Sequence, residues 1–167
     1  IEPGGIQWMT AGKGIIHSEM PEQEHGLLAG LQLWVNLPAA KKMTKPKYQE
    51  YHKKDVPIDN GDAGISISVI AGTTRNGTSG IINNQMIDPI YWHVNIHEHT
   101  DFNQDIPAGH NAFIYVLDGN ISIGDDKKNV NKGQLAIISN GSQVYLRSQD
   151  SAEFVLIAGK PLNEPVA

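Results

Sequence analysis

The chain has no cysteine, which removes disulfides, zinc knuckles, thiol nucleophiles and iron–sulfur ligation together. That absence suits a reducing compartment. No apolar run approaches the ~20 residues of a membrane-spanning helix, and no helical stripe exceeds about three turns. Positive charge is also short: 13 Lys and Arg face 18 Asp and Glu, a formal net charge of −5. A direct nucleic-acid partner needs a basic face, and none is expected here. Six of the cations fall between Lys41 and Lys54 and read as a solvated connection rather than a phosphate-binding patch. The chain begins at Ile1 rather than Met, so its natural start is expected upstream.

What is present is a period of two. In "LQLWVNL", Leu31, Leu33, Val35 and Leu37 alternate with Gln32, Trp34 and Asn36; in "GISISVIAG", Ile65, Ile67 and Val69 alternate with serines. The runs "IYWHVNI", "AFIYVLDG", "NISIGD", "QLAIIS", "QVYLRS" and "EFVLIAG" follow, with turn signals at Asn60-Gly61, Asn76-Gly77, Asp118-Gly119 and Asn140-Gly141. Many short β-branched and aromatic runs punctuated by glycine predict an all-β sandwich or barrel. Residues 39–58 are polar and basic, contain Pro46 and Pro57, and read as a crossing between two β modules. The module before it is too short to bury a core by itself.

Candidate chemistry sits in "QWMTAGKGIIHSEM", Gln7 to Met20. If "GIIHSEM" is extended, Ile15, His17 and Glu19 share a face, and an imidazole beside a carboxylate suits a divalent first-row metal. The plainer reading is a polar strand face or a local hydrogen-bonded pair. "HVNIHEHT" competes: His93, Asn95, His97 and His99 read as one solvent-facing strand surface, with His97 and His99 spaced like a ligand pair. Gly12-Lys13-Gly14 lacks the phosphate-loop spacing and a following helix. The Asn-x-Ser/Thr matches at Asn76, Asn120 and Asn140 read as turns, and no Gly-x-Ser-x-Gly elbow is present.

Taken in order, "PGGIQWMTAGKGIIHSEM", "LQLWVNLP", "YQEY", "AFIYVLDGNISIG" and "FVLIAGKPLNEPV" resemble the pirin family along essentially the whole chain. The resemblance implies two cupin (jelly-roll) barrels: residues 1–52 as the C-terminal part of a metal-site barrel plus connection, and residues 53–167 as a complete, metal-free second barrel. It implies iron, as Fe(II) or another divalent first-row metal, held by three His and one Glu. His17 and Glu19 are then metal ligands, with Glu19 also catalytic. The family's His-x-His pair lies upstream of the matching run and has no counterpart there in this sequence, so the metal is expected to bind weakly or not at all to this chain alone. His25 is the nearest candidate to complete the site. The second barrel's ligand slots hold Ile106, Ala108 and Ala112 instead of donors, and "KGQLAIIS" has no His.

Two classes of function follow from the resemblance. One is a dioxygenase that opens quercetin-like flavonols, with a small aromatic substrate and Glu19 accepting the flavonol proton. The other is a non-catalytic, redox-sensing module that binds transcription regulators, or an inactive remnant. The implied location is cytoplasmic, or nuclear in a eukaryote. The incomplete first barrel is expected to pair with an upstream polypeptide, a second copy, or the second barrel.

Overall fold

The structure is a computed structural model that describes residues 2–20, 25–27, 29–83 and 86–165. Apart from two single-turn 3₁₀ helices, Ala39–Lys41 and Lys53–Asp55, its regular elements are β-strands. No helix among the described residues is long and apolar enough to cross a membrane.

Two sheets form the main body. The larger contains β3 (Ile58–Asp59), β4 (Ile65–Ala71), β5 (Ile90–Ile96), β7 (Asn111–Asp118), β10 (Leu135–Ile138) and β12 (Ala152–Gly159), in the order β10-β7-β12-β5-β4-β3. The smaller contains β6 (Asp101–Asp105), β8 (Asn120–Ile123), β9 (Lys128–Asn131) and β11 (Gln143–Ser148), in the order β6-β11-β8-β9. The named strand pairs are antiparallel. Alternation then does the sorting: Ile65, Ile67 and Val69 of β4 and Trp92 and Val94 of β5 face Phe102 of β6 and Leu146 of β11 in one core. Phe102 and Phe154 meet edge to face across it, centroids 5.5 Å apart and planes at 82°, a favoured aromatic arrangement. This is the predicted all-β architecture of two sheets enclosing an apolar interior.

The first module behaves differently. β1 (Ile6–Thr10) pairs antiparallel with β2 (Lys47–Tyr51), and these two form a separate sheet. β2 lies in the stretch read as a polar crossing. Its inward positions, Gln49 and Tyr51, carry only one apolar side chain, which hid the period. Ile6, Trp8 and Tyr51 pack on a second small core of Val56, Ile70, Ala71 and Ile82. A β-bulge makes that possible. Val69 pairs with Trp92 and Ala71 with Tyr91, leaving Ile70 as the extra residue. The bulge turns Ile70 away from the barrel interior, and it becomes an anchor for the β1–β2 pair.

Neither "GIIHSEM" nor "LQLWVNL" forms a strand, although both carry the alternation of one. Among the described residues neither run has a neighbouring strand to take its backbone hydrogen bonds, and an unpaired extended segment gains nothing from its alternation. Their apolar side chains stay in water: Ile16 and Trp34 are almost fully exposed. The His cluster is also corrected. β5 stops at Ile96, and His99 takes a left-handed backbone (φ +54°) in the turn to β6, so His97 and His99 leave the strand face that carries His93 and Asn95.

One buried carboxylate fixes the end of the larger sheet. Asp59 is 4% exposed and accepts from the Thr74 hydroxyl, the Gly61 N–H at 2.8 Å and the Asn76 amide at 3.2 Å. Burial pushes its pKa up, but the hydrogen bonds from Thr74, Gly61, Asn76 and Thr78 outweigh burial and hold it below the usual carboxylate value. A depressed folded-state pKa stabilises the fold above the unfolded value, about 3.9, and that stabilisation is lost as pH falls through the folded value. Asp59→Ala is expected to cost about 1–3 kcal/mol at neutral pH and to flatten the acid limb of a stability–pH curve; an unchanged acid limb would contradict this. In hydrogen exchange, the amides of 15–19 and 31–37 are expected to exchange fast while those of β5, β7 and β12 persist. Protection of 31–37 equal to that of β5 would overturn the account of the unpaired strands.

Candidate metal-binding site

The segment carrying the candidate ligands starts from a tight turn. Gly12 takes φ +53°, and a Cβ there would lie 2.2 Å from the Thr44 carbonyl oxygen, so only glycine fits. The Lys13 N–H donates to that same oxygen at 3.0 Å. Gly12-Lys13-Gly14 is thus the turn that leads out of β1, not a phosphate cradle.

Beyond it the chain runs irregularly past His17 and Glu19. The structure brings this pair together: His17 Nδ1 lies 3.8 Å from Glu19 Oε1, with the side chains 40% and 58% exposed. The Gln32 amide reaches both Glu19 oxygens at 3.3 Å. Tyr48 of β2 stands within electrostatic range; partial burial, then the Glu50 and Glu19 carboxylates, raise its phenol above the ordinary value. Gln32 and Tyr48 were not picked out as site residues from the sequence. The signal available was weak: Gln32 is the polar alternate of "LQLWVNL", and Tyr48 opens the "YQEY" run, which carries the family resemblance but lies in a polar, basic stretch with no core period.

The expected inward-facing geometry is not formed. Glu19 faces solvent rather than a barrel interior, for the same reason that its segment is not a strand. Among the described residues, no group of three or more His, Cys, Asp or Glu could hold a metal ion. His17 and Glu19 therefore supply an imidazole and a carboxylate of the right types, but two donors fall short of the three or four that hold such a metal tightly. His25, the nearest further candidate, is exposed and does not join them in such a group.

In the main body, the slot residues are apolar. Ile106 and Ala112 belong to the buried core, while Ala108 is exposed in the turn before β7. His93 instead pairs with Glu153, Nε2 to Oε1 at 2.6 Å, across the outer face of β5 and β12. Two surface hollows lie elsewhere, one lined by Ser122, Tyr145 and Arg147 and one by Asp62, Arg75 and Asp101; neither touches His17 or Glu19.

Comparison with known proteins agrees in sequence and in fold. The pirin profile matches residues 1–35, and the profile of the pirin C-terminal cupin domain matches residues 91–167. A pirin-like protein of Caulobacter vibrioides is 41% identical over 166 residues, 99% of this chain and 59% of that protein. A crystal structure of quercetin 2,3-dioxygenase from Acinetobacter baumannii superposes with a TM-score of 0.87 at 34% identity, covering 98% of this chain and 58% of the other. A Geobacillus kaustophilus structure gives 0.85 at 34% identity, over 99% and 67%. The chain thus spans about three fifths of the length of the Caulobacter relative. With its two-sheet β body, its "QWMTAGKGIIHSEM" run and matches at both ends, the chain belongs to the pirin family of cupin proteins.

Proposed function

We propose that this chain is part of a metal-dependent dioxygenase of quercetin-like flavonols, with His17 and Glu19 as two of the ligands of an iron or other first-row divalent metal. Residues 1–52 belong to the barrel that holds the metal, and residues 53–167 form a second barrel that does not. The observation that carries this reading is the juxtaposition of His17 and Glu19 at 3.8 Å with Gln32 on the carboxylate. Likeness to the solved quercetin 2,3-dioxygenase supports the substrate class. The remaining donors come from polypeptide outside these residues.

The roles follow from the side chains. His17 turns Nδ1 toward Glu19, which leaves Nε2 as the nitrogen for the metal. Gln32 fixes the Glu19 carboxylate by donating to both oxygens, so its orientation is set before substrate arrives. Glu19 accepts the proton of the flavonol hydroxyl, the step that turns a weak phenolic donor into an oxidisable anion. When bound, the metal supplies Lewis acidity and an electron path between flavonol and dioxygen.

The test compares two proteins: the 167-residue chain, and the same chain preceded by the upstream segment of the Caulobacter relative. After dialysis, the longer protein is expected to retain equimolar iron and to consume flavonol with release of CO, whereas the short chain retains little. His17→Ala or Glu19→Ala in the longer protein should abolish both; iron kept by the His17→Ala variant would remove this pair from the site. Replacing His97 and His99 together with Ala should leave the iron in place, and its loss would move the metal to the second barrel. Gln32→Leu is expected to lower turnover more than iron content, because Gln32 orients the carboxylate without binding the metal.

A further inference from the structure

The chain has three Asn-Gly pairs, at 60–61, 76–77 and 140–141, and the fold guards two of them. We propose that the third, Asn140-Gly141, is a site of spontaneous covalent modification, at which Asn140 loses its side-chain amide to become aspartate or isoaspartate.

The chemistry needs only water. The backbone nitrogen of Gly141 attacks Cγ of Asn140; the new N–Cγ bond closes a five-membered imide, the Cγ–Nδ2 bond breaks, and ammonia leaves with the proton from Gly141. Water then adds to one of the two imide carbonyls and opens the ring. Cleavage on one side gives aspartate; on the other, the main chain runs through the former side chain as isoaspartate. One water is consumed, one ammonia is released, and nothing is oxidised or reduced. Glycine in second place favours the step because no Cβ blocks the approach and its backbone dihedrals are permissive.

Reaction requires that the glycine nitrogen be able to leave its surroundings and reach the asparagine Cγ. At Gly61 it cannot do so cheaply, because its N–H is held by the buried Asp59 carboxylate at 2.8 Å. At Gly77 the N–H donates to the Thr74 carbonyl at 2.9 Å. The electrophile is held there as well: the Asn76 amide donates to Asp59 at 3.2 Å and to Asp62 at 3.5 Å.

At 140–141 both restraints are missing. Both residues are exposed. Among the described residues, nothing accepts the Gly141 N–H, and the Asn140 side chain makes no hydrogen bond. A Cβ built on Gly141 would meet only the Gln143 carbonyl oxygen, at 3.9 Å, so there is room for the backbone to rotate. The loop between β10 and β11 is tied at Ser142, whose carbonyl accepts the Ile106 N–H at 2.9 Å; that anchor lies after the reacting pair and does not restrain it. The product matters locally, because residues 133–146 contain no charged side chain. Modification places a carboxylate two residues past the end of the edge strand β10, whose Leu135 and Ile137 are exposed.

The experiment is a time course at mildly alkaline pH and 37 °C on the folded chain, read by tryptic mapping. Cleavage after Lys54, Arg75, Lys127, Lys132 and Arg147 puts the three pairs in separate peptides, 55–75, 76–127 and 133–147. The amide-to-acid mass gain is expected to appear in 133–147 first, at least about tenfold faster than at Asn60 or Asn76, a barrier difference of about 1.4 kcal/mol. Urea-unfolded chain should lose that ranking, with the three pairs reacting at comparable rates. Equal rates in the folded chain, or an Asn140 that stays intact as long as the other two, would overturn the proposal. Persistence of the same ranking in urea would overturn its structural cause.

Discussion

A β-strand exists only where a neighbour takes its backbone hydrogen bonds, and that requirement decides which alternating runs of this chain become sheet. "IYWHVNI" and "LQLWVNL" are equally convincing as sequences: seven residues, aromatic and branched, alternating cleanly. The first is β5, hydrogen-bonded on one side to β12 and on the other to β4, with Trp92 and Val94 wholly buried. The second has no partner strand among the described residues, and its Trp34 is 88% exposed. Pattern determines which face would be buried; only a ladder buries it.

The same requirement explains why the β1–β2 pair attaches where it does. A two-stranded sheet is marginal by itself, so its apolar side must find a surface. The outer face of the larger sheet supplies one at the bulge, where Ile70 leaves the interior and joins Val56 and Ile82. Trp8 and Tyr51 close over them. The break in alternation at Val69-Ile70 thus has a purpose: it lets one strand serve two cores. Asp59 works at the adjoining corner. It holds the 60–62 and 74–78 turns by hydrogen bonds, and the Gln104 side chain accepts the Arg75 N–H at 2.8 Å. That last contact links the larger sheet's loop to the smaller sheet's β6.

Much of this was legible in the sequence. β4, β5, β7, β8, β10, β11 and β12 lie where alternating runs of branched and aromatic residues put them. β6, β9 and β2 were missed because each buries few apolar side chains: Phe102 beside buried Gln104 in β6, Val130 alone in β9, Tyr51 beside Gln49 in β2. A polar side chain on an inward position erases the period that a reader relies on. The reach of β5 was overread because "HVNIHEHT" continues to alternate past Ile96, and alternation carries no sign of the left-handed turn at His99. At the candidate site, the pairing of His17 with Glu19 was readable from an i, i+2 spacing. Gln32 was not, since it comes from a segment whose position depends on tertiary contacts.

The exposure of Glu19 has a physical explanation that bears on the proposed function. Moving a carboxylate into an apolar barrel is costly without a compensating cation, and among the described residues no third donor helps hold one there. With an imidazole and an amide as its neighbours, Glu19 is best placed in water, where Gln32 satisfies part of its acceptor capacity and solvent the rest. Under the proposed function, further donors would change that balance in one step. They would bring a metal to offset the carboxylate charge, and the strands that carry them would give "GIIHSEM" and "LQLWVNL" the ladder partners they lack. Metal binding and completion of the sheet would then be one coupled event, since the ligand face turns inward only when its strand is paired, and inward burial is tolerated only when the cation is there.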